Sequence, residues 1–141
     1  MGARVRVIKY AAVGVASAIL FGVMDGLINA NPLAEELLEF YSPIRRTSVD
    51  VLAGVMIDLA YGFILAGMFL MLYRSLPGHR GLFKGASFAL IVWFFRVVMY
   101  TVSQWVMLRV PVEALVYSLF TGLGEMLVLG ILYGSTLRPS A

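Results

Sequence analysis

Four long apolar stretches dominate this chain: Ile8–Asn29, Val49–Tyr73, Gly85–Leu108 and Val112–Tyr133. A helix needs about 20 residues to cross a hydrocarbon core of about 30 Å, and each stretch reaches that length. Backbone amides cannot stay unpaired in hydrocarbon, so a chain with this pattern is confined almost entirely to helices. The expected fold is therefore all-α: a polytopic membrane protein whose residues 1–141 form a single domain, a four-transmembrane-helix bundle. Composition points the same way. The chain is 61% apolar and 13% charged, with a mean hydropathy of +0.91, whereas soluble domains are about half apolar and about a quarter charged.

Several chemistries drop out at once. There is no cysteine, so disulfides and thiolate zinc sites are excluded. The only histidine, His79, falls in the polar loop between the second and third stretches, which excludes buried bis-histidine haem ligation. No phosphate loop, metalloprotease helix motif or serine nucleophile elbow occurs, and the glycines are spaced for helix packing. The net charge of +3 is explained by its distribution and implies no nucleic-acid partner. Arg4, Arg6 and Lys9 ahead of the first apolar run resemble a signal peptide. Asp25 interrupts that run, however, and no small-residue cleavage site follows, so an uncleaved first helix is expected.

Orientation follows from the basic residues. Arg4, Arg6, Lys9, Arg74, Arg80, Lys84 and Arg138 fall on one side of the four stretches, with no acid among them. Arg45, Arg46 and Arg109 share the other side with Glu35, Glu36, Glu39, Asp50 and Glu113. The positive-inside rule then expects an integral protein of the plasma or inner membrane with both termini cytoplasmic. Tyr10, Tyr73, Trp105 and Tyr133 fall near the expected interfaces, as an aromatic belt would. In the first outer loop, LAEELLEFY places Leu33, Leu37, Leu38 and Tyr41 on one helical face, which predicts a short amphipathic helix on the outer surface. Thr47 and Asp50 fit a capping box that starts the second span.

Each apolar stretch carries one charge near its middle: Asp25, Asp58, Arg96 and Glu125. Such a residue costs roughly 2.5 to 3.5 kcal/mol on insertion scales, so the four are expected to face one another and not lipid. Small and polar residues recur at helical spacing around each of them, as in Gly14, Ala18 and Gly22 before Asp25. At about 1.5 Å per residue, Arg96 lies ~18 Å above Lys84, and Glu125 ~20 Å above Arg138. Asp25 and Asp58 both lie ~24 Å above their basic rims. Two pieces are expected from these depths. One is a buried ion pair between Arg96 and Glu125. The other is an Asp25–Asp58 dyad that shares a proton or holds a cation, with Asn29, Tyr100 and Gln104 as neutral ligands.

Three carboxylates against one guanidinium leave two negative charges to be neutralised. No cofactor beyond a bound proton or monovalent cation is expected, and no metal. Proton- or cation-linked transport or channel activity is the leading expectation, in a homo-oligomer or beside a membrane-protein partner in the lipid bilayer. The alternatives are an accessory or assembly subunit of a larger membrane complex, and a membrane enzyme using carboxylate acid–base chemistry on a lipophilic substrate.

Overall fold

The computed structural model describes residues 2–44, 48 and 50–137. They form α1 (Gly2–Asn29), α2 (Pro32–Leu37), α3 (Val51–Leu72), α4 (Gly81–Trp93), α5 (Met99–Met107) and α6 (Val112–Thr136). A π-helical turn, Phe94–Val98, joins α4 to α5 without breaking the rod. The molecule thus has four helices long and apolar enough to cross a membrane: Arg4–Asn29, Val51–Ser75, Gly81–Met107 and Val112–Thr136. The first begins earlier than expected because no Pro or other breaker precedes Tyr10, so the basic residues Arg4, Arg6 and Lys9 are wound into the helix. The third begins earlier too, directly after a turn in which Gly78 takes a φ of 108°, a left-handed conformation suited to glycine.

The four rods close into a ring of antiparallel neighbours. Gly14 of α1 faces Gly62 and Phe63 of α3, and Gly22 faces Asp58. Gly85 of α4 faces Gly130 of α6, and Gly81 faces Gly134. The ring is completed where α1 meets α6 and where Phe69 of α3 meets Phe88 of α4. Both described ends of the chain, and the turn between α3 and α4, therefore lie at one end of the bundle.

At that end the packing is tight for a reason visible in residue size. A methyl group at Gly85 would collide with the Gly130 carbonyl oxygen, and one at Gly134 with the Gly81 carbonyl oxygen. A methyl at Gly62 would lie 2.6 Å from the Gly14 carbonyl oxygen. Two helix pairs are thus in backbone contact, which only small residues permit. Phe69, Phe88 and Tyr133 fill the space between the pairs, with ring centroids 5.4 to 6.2 Å apart and Phe69 and Tyr133 fully buried. Lys84 seals the rim: its Nζ donates to the Tyr73 and Leu76 carbonyl oxygens at 2.7 and 2.8 Å and lies 4.9 Å from the Tyr73 ring. It adds a second donor to the Tyr73 carbonyl oxygen, which also accepts the Leu76 N–H at 3.4 Å, and ties the turn after α3 to the start of α4.

The opposite end is looser. The expected amphipathic helix over 33–41 is shorter than its pattern suggested: α2 ends at Leu37, and a 3₁₀ segment, Glu39–Ile44, containing Pro43, follows. Its buried residue is Ala34, and Leu33 faces outward. Asn31 starts it, with Oδ1 accepting the Ala34 N–H at 2.8 Å and Pro32 occupying the first helical position. Thr47, the expected cap of the second span, lies outside the described residues. Asp50 is the residue that caps α3, accepting the Ala53 N–H at 3.1 Å.

Candidate functional site

The four mid-span charges converge, but not as two pieces. The Asp25 and Glu125 carboxyls approach to hydrogen-bonding range, and Arg96 and Asp58 lie within electrostatic reach of Glu125. The expected Arg96–Glu125 ion pair is absent, since no salt bridge forms among the described residues. Asp25 is brought to Glu125 because α1 and α6 are neighbours in the closed ring, an adjacency that loop length could not reveal. Asp58 instead lies over the backbone of α1, where a methyl group at Gly22 would come within 3.2 Å of Asp58 Oδ2.

Arg96 takes a different partner. Its Cζ is 5.1 Å from the centroid of the Phe21 ring and 5.4 Å from that of Tyr61. Those rings stack with centroids 5.7 Å apart at an interplanar angle of 28°. A guanidinium within about 6 Å of an aromatic face is attracted by the ring quadrupole, more so where water is excluded. The π turn supplies the physical reason for the changed partner. It adds one residue to the turn that holds Arg96, so the side chain departs from the uninterrupted helical phase that directed it at α6. Its N–H groups donate no hydrogen bond among the described residues.

Glu125 forms the floor of a cavity of about 320 Å³. The cavity runs from Glu125, Arg96 and Tyr61 past Tyr100 and Gln104 to Tyr41, in the loop at the end away from the chain termini. Glu125 is 5% exposed, and its Oε1 is buried with no hydrogen-bond partner. Leaving a buried acceptor unpaired costs about 1 to 3 kcal/mol, more for a charged group.

The expected neutral ligands fall elsewhere. The Asn29 Nδ2 donates to the Asp25 backbone oxygen at 2.9 Å on the exposed side of α1, so Asn29 does not join the carboxyls. Tyr100 and Gln104 do line the cavity, but near its mouth: Gln104 is eight residues beyond Arg96, about 12 Å along a helix. There the Tyr41 hydroxyl donates to Gln104 Oε1 at 3.1 Å, and Gln104 Nε2 donates to the Tyr100 hydroxyl. Burial, and secondarily the nearby Tyr100, pushes the Tyr41 hydroxyl above its ordinary value of 10.0. A second tie holds the same end. Asn31 Nδ2 donates to the Tyr117 hydroxyl at 2.9 Å, and that hydroxyl donates to the Ile28 carbonyl oxygen.

Sequence reasoning missed Phe21, Tyr61, Asn31 and Tyr41 as parts of this region. Asn31 had a legible signal, the Asn-Pro step at a helix start. The aromatic pair had none, because Phe and Tyr in apolar spans read as ordinary packing. Among the described residues, no group of three or more His, Asp or Glu is arranged to hold a metal ion. No protein-family pattern matches the chain, and comparison with curated proteins and with solved structures finds no match.

Proposed function

We propose that this chain is a membrane transporter protomer that receives a small solute in the cavity and couples its movement to a proton held between Asp25 and Glu125. Membrane placement is supported by the outward faces of the four spans. Only 22 to 28% of the most apolar window of each is buried within the molecule, and Ile8, Leu27, Phe95 and Phe120 are among the large apolar side chains left outside. The distribution of basic residues supports a cytoplasmic location for the terminal end, which makes the cavity open toward the opposite side.

One observation carries the reading: a cavity that bottoms on a buried carboxylate within hydrogen-bonding range of a second one. Ionised carboxyls are acceptors only, so a hydrogen bond between two of them requires a proton. The two would repel strongly in a site of low dielectric once that proton left. Arg96 is within reach to compensate, because aromatic rings hold it and no ion pair does. Release of the proton and movement of Arg96 toward the carboxyls are thus one electrostatic event, and a solute in the cavity would feel both. The tight terminal end provides the barrier across which access must alternate, and a four-helix protomer is small enough that a second copy or another membrane protein would complete the path.

The test is proton uptake by proteoliposomes carrying a trapped pH dye, under an inward proton gradient, on addition of a pool of small amino acids, amines and carboxylic acids. Uptake evoked by the pool, lowered at least tenfold by Glu125→Gln and by Asp25→Asn, is the expected result. Uptake that both variants retain contradicts the proposal, as does a pool that evokes none in the wild-type protein.

A further inference from the structure

We infer that the cavity is a binding site for a small zwitterion, an α-amino acid or a molecule of the same charge pattern, with its ammonium on Glu125 and its anionic group on Arg96. The inference deepens the transport reading and rests on it only for access to the cavity. Its basis is the state of the two charges on the wall. Glu125 and Arg96 both line the cavity, and the Arg96 N–H groups donate no hydrogen bond among the described residues. Opposite charges on one cavity wall would ordinarily form a salt bridge, yet none joins them among the described residues. Phe21 and Tyr61 hold the guanidinium away from the carboxylate.

What complements an acceptor and a donor separated in this way is a ligand that inserts between them. An ammonium supplies the donors that Glu125 lacks, and a carboxylate supplies the planar acceptor that a guanidinium fork matches with two parallel hydrogen bonds. A simple cation would satisfy Glu125 but would face Arg96 at short range without a counter-charge. A simple anion would meet Glu125 in the same way. Glu125 and Arg96 are the charged residues on the cavity wall, and Asp25 and Asp58 act on Glu125 from outside it. The remaining lining is mixed. Tyr61, Tyr100 and Leu115 offer apolar surface to a side chain, and Ser118 and Thr121 offer hydroxyls. A volume of about 320 Å³ is at the lower end of ordinary ligand sites, which run from about 300 to 1,000 Å³, so the ligand is of amino-acid size and not larger.

Three probes of one shape separate the possibilities: L-phenylalanine, 2-phenylethylamine, which lacks the carboxylate, and 3-phenylpropionate, which lacks the ammonium. The readout is the Tm of the full chain in lipid nanodiscs with each probe at equal concentration. A ligand that binds only the folded state raises Tm in proportion to the logarithm of its excess over Kd. The expected result is a rise of at least about 3 °C with L-phenylalanine and less than a third of that with either relative. Arg96→Gln should make L-phenylalanine and the amine equivalent, and Glu125→Gln should make L-phenylalanine and the acid equivalent. If Glu125→Gln does not fold, Arg96→Gln and the three-probe comparison on the wild-type protein still decide. An equal rise with the amine overturns the assignment to Arg96, an equal rise with the acid overturns the assignment to Glu125, and no rise with any probe overturns the site. Stabilisation by L-phenylalanine without proton uptake would leave this site standing and remove the transport reading. Proton uptake evoked by amines alone would do the reverse.

Discussion

The two ends of the bundle are held by different physics. At the end carrying the chain termini, helices touch backbone to backbone through Gly81, Gly85, Gly130 and Gly134, and Phe69, Phe88 and Tyr133 fill what remains. At the other end, side-chain hydrogen bonds among Tyr41, Gln104 and Tyr100 line a cavity, and Asn31 and Tyr117 tie the same end. Packing of the first kind has no cheap alternative arrangement, because every atom is already in contact. Hydrogen bonds of the second kind contribute only about 0.6 kcal/mol each in membrane proteins, and their partners can be exchanged. The difference teaches where motion and chemistry belong in this fold: the charges sit where the tight end gives way to the loose one.

Substitutions can break or sharpen that contrast. Phe69→Ala, at the centre of the aromatic layer, should have the largest effect on stability, about 3 to 5 kcal/mol by reversible unfolding in mixed micelles. A loss below about 1 kcal/mol would mean that the tight end is not what holds the bundle. Gly130→Ala should follow, at roughly 1 to 3 kcal/mol, because the added methyl meets Ala89 Cβ and the Gly85 backbone, and neither can yield without moving a helix. Asp58→Asn should cost less than about 1 kcal/mol in the same assay yet change solute-evoked proton uptake, since the Asp58 carboxyl lies beside Gly22 of α1 and its charge acts on Glu125.

The smallest effect is expected from Tyr41→Phe, about 0.6 kcal/mol, for the single hydrogen bond to Gln104. Its pH dependence has a definite sign. The Tyr41 hydroxyl is raised above 10.0, so the folded state favours its neutral form. That contribution is fully present below pH 10 and is lost as the pH climbs through the raised value. An ultraviolet titration of wild type minus Tyr41→Phe should therefore show a phenolate transition above pH 10, and one at or below 10 would place Tyr41 outside the mouth of the cavity.

The four long helices were legible in the sequence because a hydrocarbon solvent permits so little else, and the stripe Gly14, Ala18 and Gly22 marked the face of α1 that meets α3, whereas the tightest contact, through Gly85, Gly130 and Gly134, lay in no such stripe. The convergence of Asp25, Asp58, Arg96 and Glu125 was legible for the same reason: charge must leave lipid. Which charge meets which was not. Depth along each rod placed Asp25 and Glu125 less than a turn apart, but only the closed ring makes α1 and α6 neighbours. A straight helix was assumed through Arg96, and neither its π turn nor the Phe21–Tyr61 stack that receives the guanidinium has a pattern in one sequence. The outer loop shows a similar limit. Its helical spacing ran from Leu33 to Tyr41, yet the Asn31 cap and Pro43 bracket an α-helix that ends at Leu37 and a 3₁₀ segment after it.

The central claim is that Asp25 and Glu125 form one protonated pair, and difference infrared spectroscopy of the protein in lipid at pH 7 addresses it most directly. The account expects a carboxylic-acid carbonyl band in the wild-type protein that shifts in deuterium oxide and disappears in both Asp25→Asn and Glu125→Gln, because removing either partner removes the shared proton. A wild-type spectrum with no such band, or a band that survives both substitutions, would contradict it.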